Sequence, residues 1–175
     1  KKLQTNIINY EALSLAVLGF TKEHNIEIDQ EFSILVNSGP GSFSGIRIAL
    51  AVTKGIQLVK KLNIYSYNNF ILNAAPYIKK ANKLISIIKT NNFYYYLDIS
   101  VGKNSTLNEP KKLDFSYLEA DNSMVIVSEE FKNDEIIKNI DKKKVCIAKF
   151  DLKNIEILIK NNLLENELIK PLYLS

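Results

Sequence analysis

A glycine-rich turn lies between a short apolar run and a long amphipathic segment, and this succession constrains the fold more than any other feature of the 175-residue chain. Residues 33–37 have the apolar character of a buried strand, and apolar residues recur at helical spacing over 44–62. Residues 64–67 are typical of a second strand. A strand, a helix and a strand in this order form a βαβ unit with parallel strands and a right-handed crossover. We therefore predict an α/β fold.

The remaining periodicities predict two lobes. A helix over 9–24 with Asn9 as N-cap, and another over 69–80, complete an N-terminal lobe of residues 1–80. The pattern changes after Ala81, so residues 81–175 form a smaller C-terminal lobe, whose last helix is expected to pack back on the first lobe. We predict these elements for the C-terminal lobe: strands 84–89, 93–100, 124–128 and 144–148, and helices 134–140 and 152–164.

The first two strands of the C-terminal lobe are predicted to form a hairpin about Asn91 and Asn92. Three consecutive tyrosines, residues 94–96, lie in the second of these strands. Because successive side chains of a strand point to opposite faces, we expect one face of this run to pack and the other to be wet.

Composition excludes several classes of function. Cys146 is the only cysteine and His24 the only histidine, so the sequence predicts neither a disulfide framework nor a Cys/His metal site. The net charge of +4 arises from scattered residues and does not form the basic stripe typical of nucleic-acid binding. No apolar run reaches membrane-spanning length and no basic-then-apolar leader is visible, so a cytoplasmic protein without a membrane segment is expected.

The glycine turn itself, residues 38–47, presents backbone N–H groups at the positive end of a helix dipole, an arrangement that receives phosphate or carboxylate. A phosphate-binding P-loop requires a lysine and a hydroxyl residue after the last glycine, but Ile46 and Arg47 stand there. A dinucleotide site requires closer glycines and an acidic residue after the second strand, where this chain has Asn68 and Asn69.

A purely structural role for the turn is the alternative to a binding role. Gly39 and Gly41 would turn the chain, Ser42 or Ser44 would cap the helix, and Gly45 would allow the helix to approach the sheet closely. At this stage both roles stay open.

Arg47 favours a binding role because it is the only arginine in a chain that otherwise uses lysine. If Ser44 is the N-cap, Arg47 lies in the first helical turn, where the dipole disfavours a cation unless a fixed acceptor compensates. A guanidinium offers a planar, bidentate fork that lysine cannot reproduce. The alternative is that Arg47 braces the turn internally. The candidate contacts for a partner or an anion are Gly39, Gly41, Ser42, Ser44, Gly45 and Arg47.

Residues 39–49, GPGSFSGIRIA, followed by Ala51 and Lys54-Gly55, resemble the GPGSFTGLRIG segment and following helix of the TsaB (YeaZ) family. The departures are Ser44 for threonine, Ile46 for leucine and Ala49 for glycine. Residues 33–37 and the closing segment 171–174 are also similar to that family. Where family members tend to carry Asp-Ala-Arg, this chain has the sequence Lys-Thr-Asn at 89–91.

The resemblance implies an α/β, actin-like (ASKHA, ribonuclease H-like) two-lobed fold. The family's first strands, which include the hairpin that holds nucleotide phosphates, are not visible in this sequence. The family belongs to a group once labelled M22 glycopeptidases. Its catalytic paralogue, TsaD, binds metal through a His-x-x-x-His pair, whereas this chain has His24 alone.

For function, the resemblance implies a non-catalytic scaffold or activator subunit. The partners would be a TsaD-like paralogue and a TsaE-like ATPase, and the complex would transfer a threonylcarbamoyl group to adenosine 37 of tRNAs reading ANN codons. No catalytic or metal residue and no cofactor is expected on this chain, while ATP or ADP and a metal ion would lie on the partner subunits. The helices over 9–24 and 44–62 would contact the paralogue, and in isolation a homodimer would form.

Two alternatives come from other functional classes. The chain could be an M22-like hydrolase or nucleotide-dependent transferase that is active on its own, or an anion-binding module unrelated to tRNA.

Overall fold

The computed structural model describes residues 10–90, 93–100, 106–120, 123–166 and 169–174. The chain divides into two compact units, one formed by Lys1–Asn68 with Leu164–Tyr173 and the other by Asn69–Leu163 with the last two residues. This division differs from the boundary at residue 80 that we predicted. Residues 69–80 belong to the second unit because the helix that begins at Asn69 packs on strands of that unit.

The first unit contains the predicted βαβ succession. Its elements are helix α1 (Tyr10–Glu23), strand β1 (Ser33–Asn37), helix α2 (Phe43–Lys60) and strand β2 (Asn63–Tyr67). Strands β1 and β2 pair in parallel, with Ser33 opposite Asn63, and α1 packs on α2. Asn9, the predicted N-cap of α1, lies outside the described residues. The buried core of this unit comprises Val36, Ile46, Leu50, Leu62, Ile64 and Ile169.

The C-terminal tail is bound to the first unit by backbone hydrogen bonds. The Ser66 N–H donates to the Glu165 carbonyl at 2.7 Å, and the Glu165 N–H donates back to Ser66 at 2.9 Å. The Ser66 hydroxyl, which is fully buried, also donates to the Glu165 carboxylate at 3.3 Å. The tail therefore pairs with β2 through one antiparallel bridge, between Ser66 and Glu165.

The strands of the second unit are β3 (Lys83–Thr90), β4 (Phe93–Ser100), β5 (Thr106–Leu107), β6 (Lys111–Lys112), β7 (Met124–Ser128) and β8 (Val145–Ala148). They form a mixed sheet in the order β5-β4-β3-β7-β8, with β6 paired to β4. Its α-helices are α3 (Asn69–Ala74), α4 (Phe115–Ala120), α5 (Glu135–Lys138) and α6 (Asn154–Lys160). The predicted hairpin is confirmed, since β3 and β4 are antiparallel with Thr90 opposite Phe93.

The helices predicted over 69–80, 134–140 and 152–164 are all shorter in the structure, where they are α3, α5 and α6. The helix predicted over 69–80 ends at Ala74 and continues as a 3-10 turn, Ala75–Tyr77, because Pro76 disfavours the α conformation of Ala75. The last helix, α6, packs on α3 and on this turn. It thus contacts residues that the sequence assigned to the first lobe, but the structure places them in the second unit.

The prediction for the three tyrosines was wrong, because Tyr94, Tyr95 and Tyr96 are all buried, with at most 8% of each exposed. Tyr94 and Tyr96 belong to a cluster that includes Ile85 and Val127. Alternation places Tyr95 on the opposite face of the sheet, which α3 covers. Both faces of the sheet are therefore buried, and no wet face remains for this run.

Asp134 joins the end of the hairpin to the start of α5. Its carboxylate accepts hydrogen bonds from the Lys89 ammonium at 2.7 Å and from the Tyr94 hydroxyl. The hydrogen bond from Lys89, followed by that from Tyr94, lowers the pKa of Asp134 below its ordinary value. The hydrogen bond to Asp134 likewise raises the pKa of Lys89.

These shifts predict the pH dependence of stability. A carboxyl group whose pKa is lowered by folding stabilises the protein above its unfolded-state pKa, and this contribution disappears as pH falls through the folded-state value. The raised pKa of Lys89 stabilises the folded protein at pH values below the pKa of lysine in the unfolded chain, and this contribution is lost as the pH rises through the raised value.

Asp134→Asn should therefore reduce the loss of unfolding free energy that occurs as the pH falls, measured by denaturant unfolding across pH. Glu156→Gln, at an exposed position of α6, is the control. An unchanged acid limb in Asp134→Asn would contradict the assignment.

Candidate functional site

The glycine turn begins with a buried serine that joins three segments of the first unit. The Ser38 N–H and hydroxyl both donate to the Tyr67 carbonyl, at 2.8 and 3.1 Å, and the Ser38 carbonyl accepts from the Leu172 N–H at 2.8 Å. The Asn37 side-chain oxygen accepts from the Gly39 N–H at 2.8 Å. The start of the turn is therefore held against β2 and the C-terminal tail.

Gly39 performs the turning role expected from the sequence. Its φ of +115° is a backbone conformation that residues other than glycine rarely adopt. An added Cβ would lie 2.8 Å from Ile46 Cδ1 and 3.2 Å from the Leu172 carbonyl oxygen. The Gly39–Pro40 peptide bond is cis. Gly41 has no positive φ, and the nearest atom to an added Cβ there is Ile46 Cδ1 at 3.7 Å, so turning depends on Gly39.

The N-cap of α2 is Ser42, not Ser44. The Ser42 hydroxyl accepts from the Gly45 N–H at 3.4 Å, and its carbonyl accepts from the Ile46 N–H at 2.9 Å. Ser44 lies within the first turn, with its hydroxyl 3.4 Å from that of Ser42. Gly45 is exposed, and its Cβ position faces Ser42 at 3.4 Å, so the predicted close approach to the sheet at Gly45 was wrong.

Arg47 consequently lies in the second turn of α2, and the first-turn dipole argument does not apply to it. Its guanidinium lies 5.1 Å from the centroid of the Phe43 ring, which stacks on Tyr173 at 5.1 Å. Phe43 and Tyr173 are 58% and 52% exposed, and Arg47 is exposed as well. With the described residues Arg47 forms no salt bridge and no hydrogen bond, so it does not brace the turn by polar contacts. We call Phe43, Arg47 and Tyr173 the aromatic ledge.

An open apolar groove of about 440 Å³ runs between α1 and α2. We call it the helix groove, and it is lined by Ser14, Leu18, Ile28, Ala51, Val52, Gly55, Ile56, Val59 and Lys60. Leu18 is 60% and Val59 78% exposed. An added Cβ at Gly19 or Gly55 would meet nothing within 4 Å, so both helices can be approached closely from outside.

Sequence reasoning named these two helices but not the residues that line the helix groove. The sequence carries a signal for Leu18. Leu13, Val17, Phe20 and His24 recur at helical spacing and mark one stripe of α1 as its buried face, and Leu18 falls outside this stripe. Such a residue points to a second contact surface only where it joins other exposed apolar residues in a contiguous patch, as Leu18 does with Val59 in the helix groove.

Within the described ranges, no group of three or more His, Cys, Asp or Glu residues lies close enough to hold a metal ion. His24 packs edge-on against Phe20, with ring centroids 4.5 Å apart, and its Nδ1 lies 4.0 Å from the Glu23 carboxylate. Cys146 is a half-buried free thiol in β8. None of the described helices is both long and apolar enough to cross a membrane.

The chain was compared with known proteins. No family model matches it. It is 35% identical over 78 residues to the tRNA threonylcarbamoyladenosine biosynthesis protein TsaB of Buchnera aphidicola subsp. Baizongia pistaciae (strain Bp). The match covers 43% of this chain and 35% of that protein, so it spans about a third of the length of the curated relative.

Solved structures share the fold over most of the chain. YeaZ from Pseudomonas aeruginosa superposes with a TM-score of 0.63 at 15% identity, covering 94% of this chain and 84% of that one. An uncharacterized protein with similarity to peptidase YeaZ from the same organism gives a TM-score of 0.59 at 14% identity, with coverages of 94% and 83%. The predicted α/β, actin-like fold is confirmed by these structures. The chain is therefore similar in sequence to a TsaB protein over 78 residues and shares its fold with the YeaZ structures.

Proposed function

We propose that this chain is a non-catalytic scaffold or activator subunit of the complex that transfers a threonylcarbamoyl group to adenosine 37 of tRNAs reading ANN codons. The name of the Buchnera relative supports the pathway. The observation that carries the scaffold role is the helix groove, a large exposed apolar surface on two packed helices. Contiguous exposed apolar surface of this kind is characteristic of protein interfaces.

The occupant that we propose for the helix groove is a TsaD-like catalytic paralogue. Small residues at Gly19, Ala51 and Gly55 leave room for the helices of a partner to approach closely, while Leu18 and Val59 supply apolar area at the rim. Without the paralogue, a second copy of this chain would cover the same surface as a homodimer. A TsaE-like ATPase would complete the complex. ATP or ADP and the metal ion would lie on the partner subunits, and tRNA would be contacted through the cytoplasmic complex.

The aromatic ledge supports a docking role for the glycine turn. Aromatic and arginine side chains are enriched among the residues that dominate binding energy at interfaces. Phe43 and Arg47 belong to the same helix as Ala51 and Gly55 of the helix groove. The candidate residues Gly39, Gly41, Ser42, Ser44 and Gly45 would then shape the start of α2, and Arg47 would make the contact.

Reconstitution tests this proposal directly. The paralogue, the ATPase, tRNA and ATP are combined with and without this chain, and modified adenosine is quantified. Modification should depend on this chain, and the chain alone should hydrolyse neither ATP nor peptides. Turnover by the isolated chain would instead support the alternative of an M22-like hydrolase or nucleotide-dependent transferase. Failure to form a stoichiometric complex with the paralogue would favour an unrelated anion-binding module.

Arg47→Lys should weaken binding of the paralogue about tenfold while leaving the melting temperature nearly unchanged. The charge is kept but the planar fork and its stacking on Phe43 are lost. Titration calorimetry and thermal unfolding measure the two quantities. Lys160→Arg, at the exposed end of α6, is the control. A large fall in melting temperature with unchanged affinity would show that Arg47 braces the fold.

A further inference from the structure

A polar cavity of about 180 Å³ lies in the second unit and shares no lining residue with the helix groove. It is lined by Lys83, Leu84, Asp98, Ile99, Ser100, Asn108, Tyr117 and Ser123. Most of these side chains carry a hydrogen-bonding group. Such a lining differs from the apolar lining of the helix groove and points to a polar ligand.

The pairing of β3 with β4 brings the polar side chains together. Lys83 is opposite Ser100 and Ile85 is opposite Asp98, so Lys83, Asp98 and Ser100 lie on one face of the sheet. This is the face on which Ile85 and Tyr96 form the buried cluster with Leu118 of α4. The cavity therefore lies at the end of that apolar cluster, where the strands change from apolar to polar side chains.

Two opposite charges line this cavity without neutralising each other. Lys83 and Asp98 form no salt bridge with one another, and Lys83 has no polar partner among the described residues. One carboxylate oxygen of Asp98 accepts a hydrogen bond from the Tyr117 hydroxyl at 3.0 Å, which holds the carboxylate in place. An unpaired ammonium and an oriented carboxylate in one cavity are together complementary to a ligand that carries both signs of charge.

We propose that this cavity binds a small zwitterion of the amino-acid class. The carboxylate of the ligand would face Lys83 and its ammonium would face Asp98, with the hydroxyl of Ser100 and the amide of Asn108 available to a polar side chain. The volume of about 180 Å³ leaves room for a small ligand of this class. Glycine and serine are small members of this class.

The experiment is an NMR titration of the full chain with glycine and with L-serine. Saturable shifts should appear at residues of the cavity, and Asp98→Asn and Lys83→Met should each weaken binding about tenfold or more. Glycinamide lacks the carboxylate and glycolate lacks the ammonium, so each should bind about tenfold more weakly than glycine. Lys111→Met and Glu156→Gln change exposed charges outside the cavity and should leave affinity unchanged.

The design separates binding from folding. Thermal unfolding of each variant establishes that it is folded, and an asparagine at position 98 can still accept the hydrogen bond from Tyr117. The proposal is overturned if neither zwitterion binds saturably, if the single-charge analogues bind as well as glycine, or if the control variants lose as much affinity as Asp98→Asn.

Discussion

Replacing Gly39 by alanine is expected to lower the free energy of unfolding by about 3 kcal/mol. The φ of +115° is strained for any residue with a Cβ, and the added atom would meet Ile46 Cδ1 at 2.8 Å. That methyl group can move, but the Leu172 carbonyl oxygen at 3.2 Å is backbone. The backbone of Leu172 is fixed by the hydrogen bond that its N–H donates to the Ser38 carbonyl. Relief of the clash would therefore disturb both the turn and the tail.

Urea unfolding of wild type and variant measures this loss. Gly55→Ala is the matched control, because an added Cβ there meets nothing within 4 Å in the middle of α2. That substitution should raise the free energy of unfolding by up to about 1 kcal/mol, since alanine is the better helix former. A loss below about 0.5 kcal/mol for Gly39→Ala would mean that the turn accommodates a side chain without strain.

Replacing Leu18 by glutamate should weaken the proposed complex with a TsaD-like paralogue about a hundredfold, because a carboxylate would be buried in an apolar interface. Leu18 is 60% exposed in the isolated chain, so stability should change little. Titration calorimetry with the paralogue measures affinity, and tRNA modification in the reconstituted system should fall in parallel. This result rests on the proposed occupant of the helix groove.

Ile159→Glu is the control for this prediction, because Ile159 is an exposed apolar residue, 50% accessible, on a helix of the second unit. It should leave the affinity for the paralogue unchanged. Equal affinity of Leu18→Glu and wild type would remove the helix groove from the interface. Equal losses in both variants would point to a general effect of added negative charge.

Several elements of the fold could be predicted because their signals are local. The apolar run that forms β1, the helical spacing of α2 and the asparagine pair at the hairpin each depend on neighbouring residues only. Because these signals are local, short elements such as α4 and β6 were not predicted, and α3, α5 and α6 were predicted too long. Helix α4 has only six residues and β6 only two, so their periodicity is too brief to be read, and their positions depend on packing against β4 or the core.

The candidate site divides in the same way. The glycine turn and the single arginine could be identified from residue types and spacing. The sequence assigned the turning role to Gly39 and Gly41 alike, and only the structure shows that Gly39 alone has the positive φ. The sequence was equally compatible with Ser42 and Ser44 as the N-cap, and only the structure shows that the helix begins after Ser42. Tyr173 could not be connected with Phe43 from the sequence, because 130 positions separate them (173 minus 43) and only the return of the tail brings the rings together.

The βαβ unit, the hairpin and the glycine turn could be predicted from the residues, because side-chain periodicity and glycine conformation act over a few positions. Three features are visible only in the folded chain: the unit to which residues 69–77 and the tail belong, the burial of the three tyrosines, and the set of apolar side chains that stay exposed. Those outcomes depend on what covers each face of a helix or sheet. The segments that cover a face are distant in sequence and meet only in the folded chain, so the local sequence pattern does not predict them.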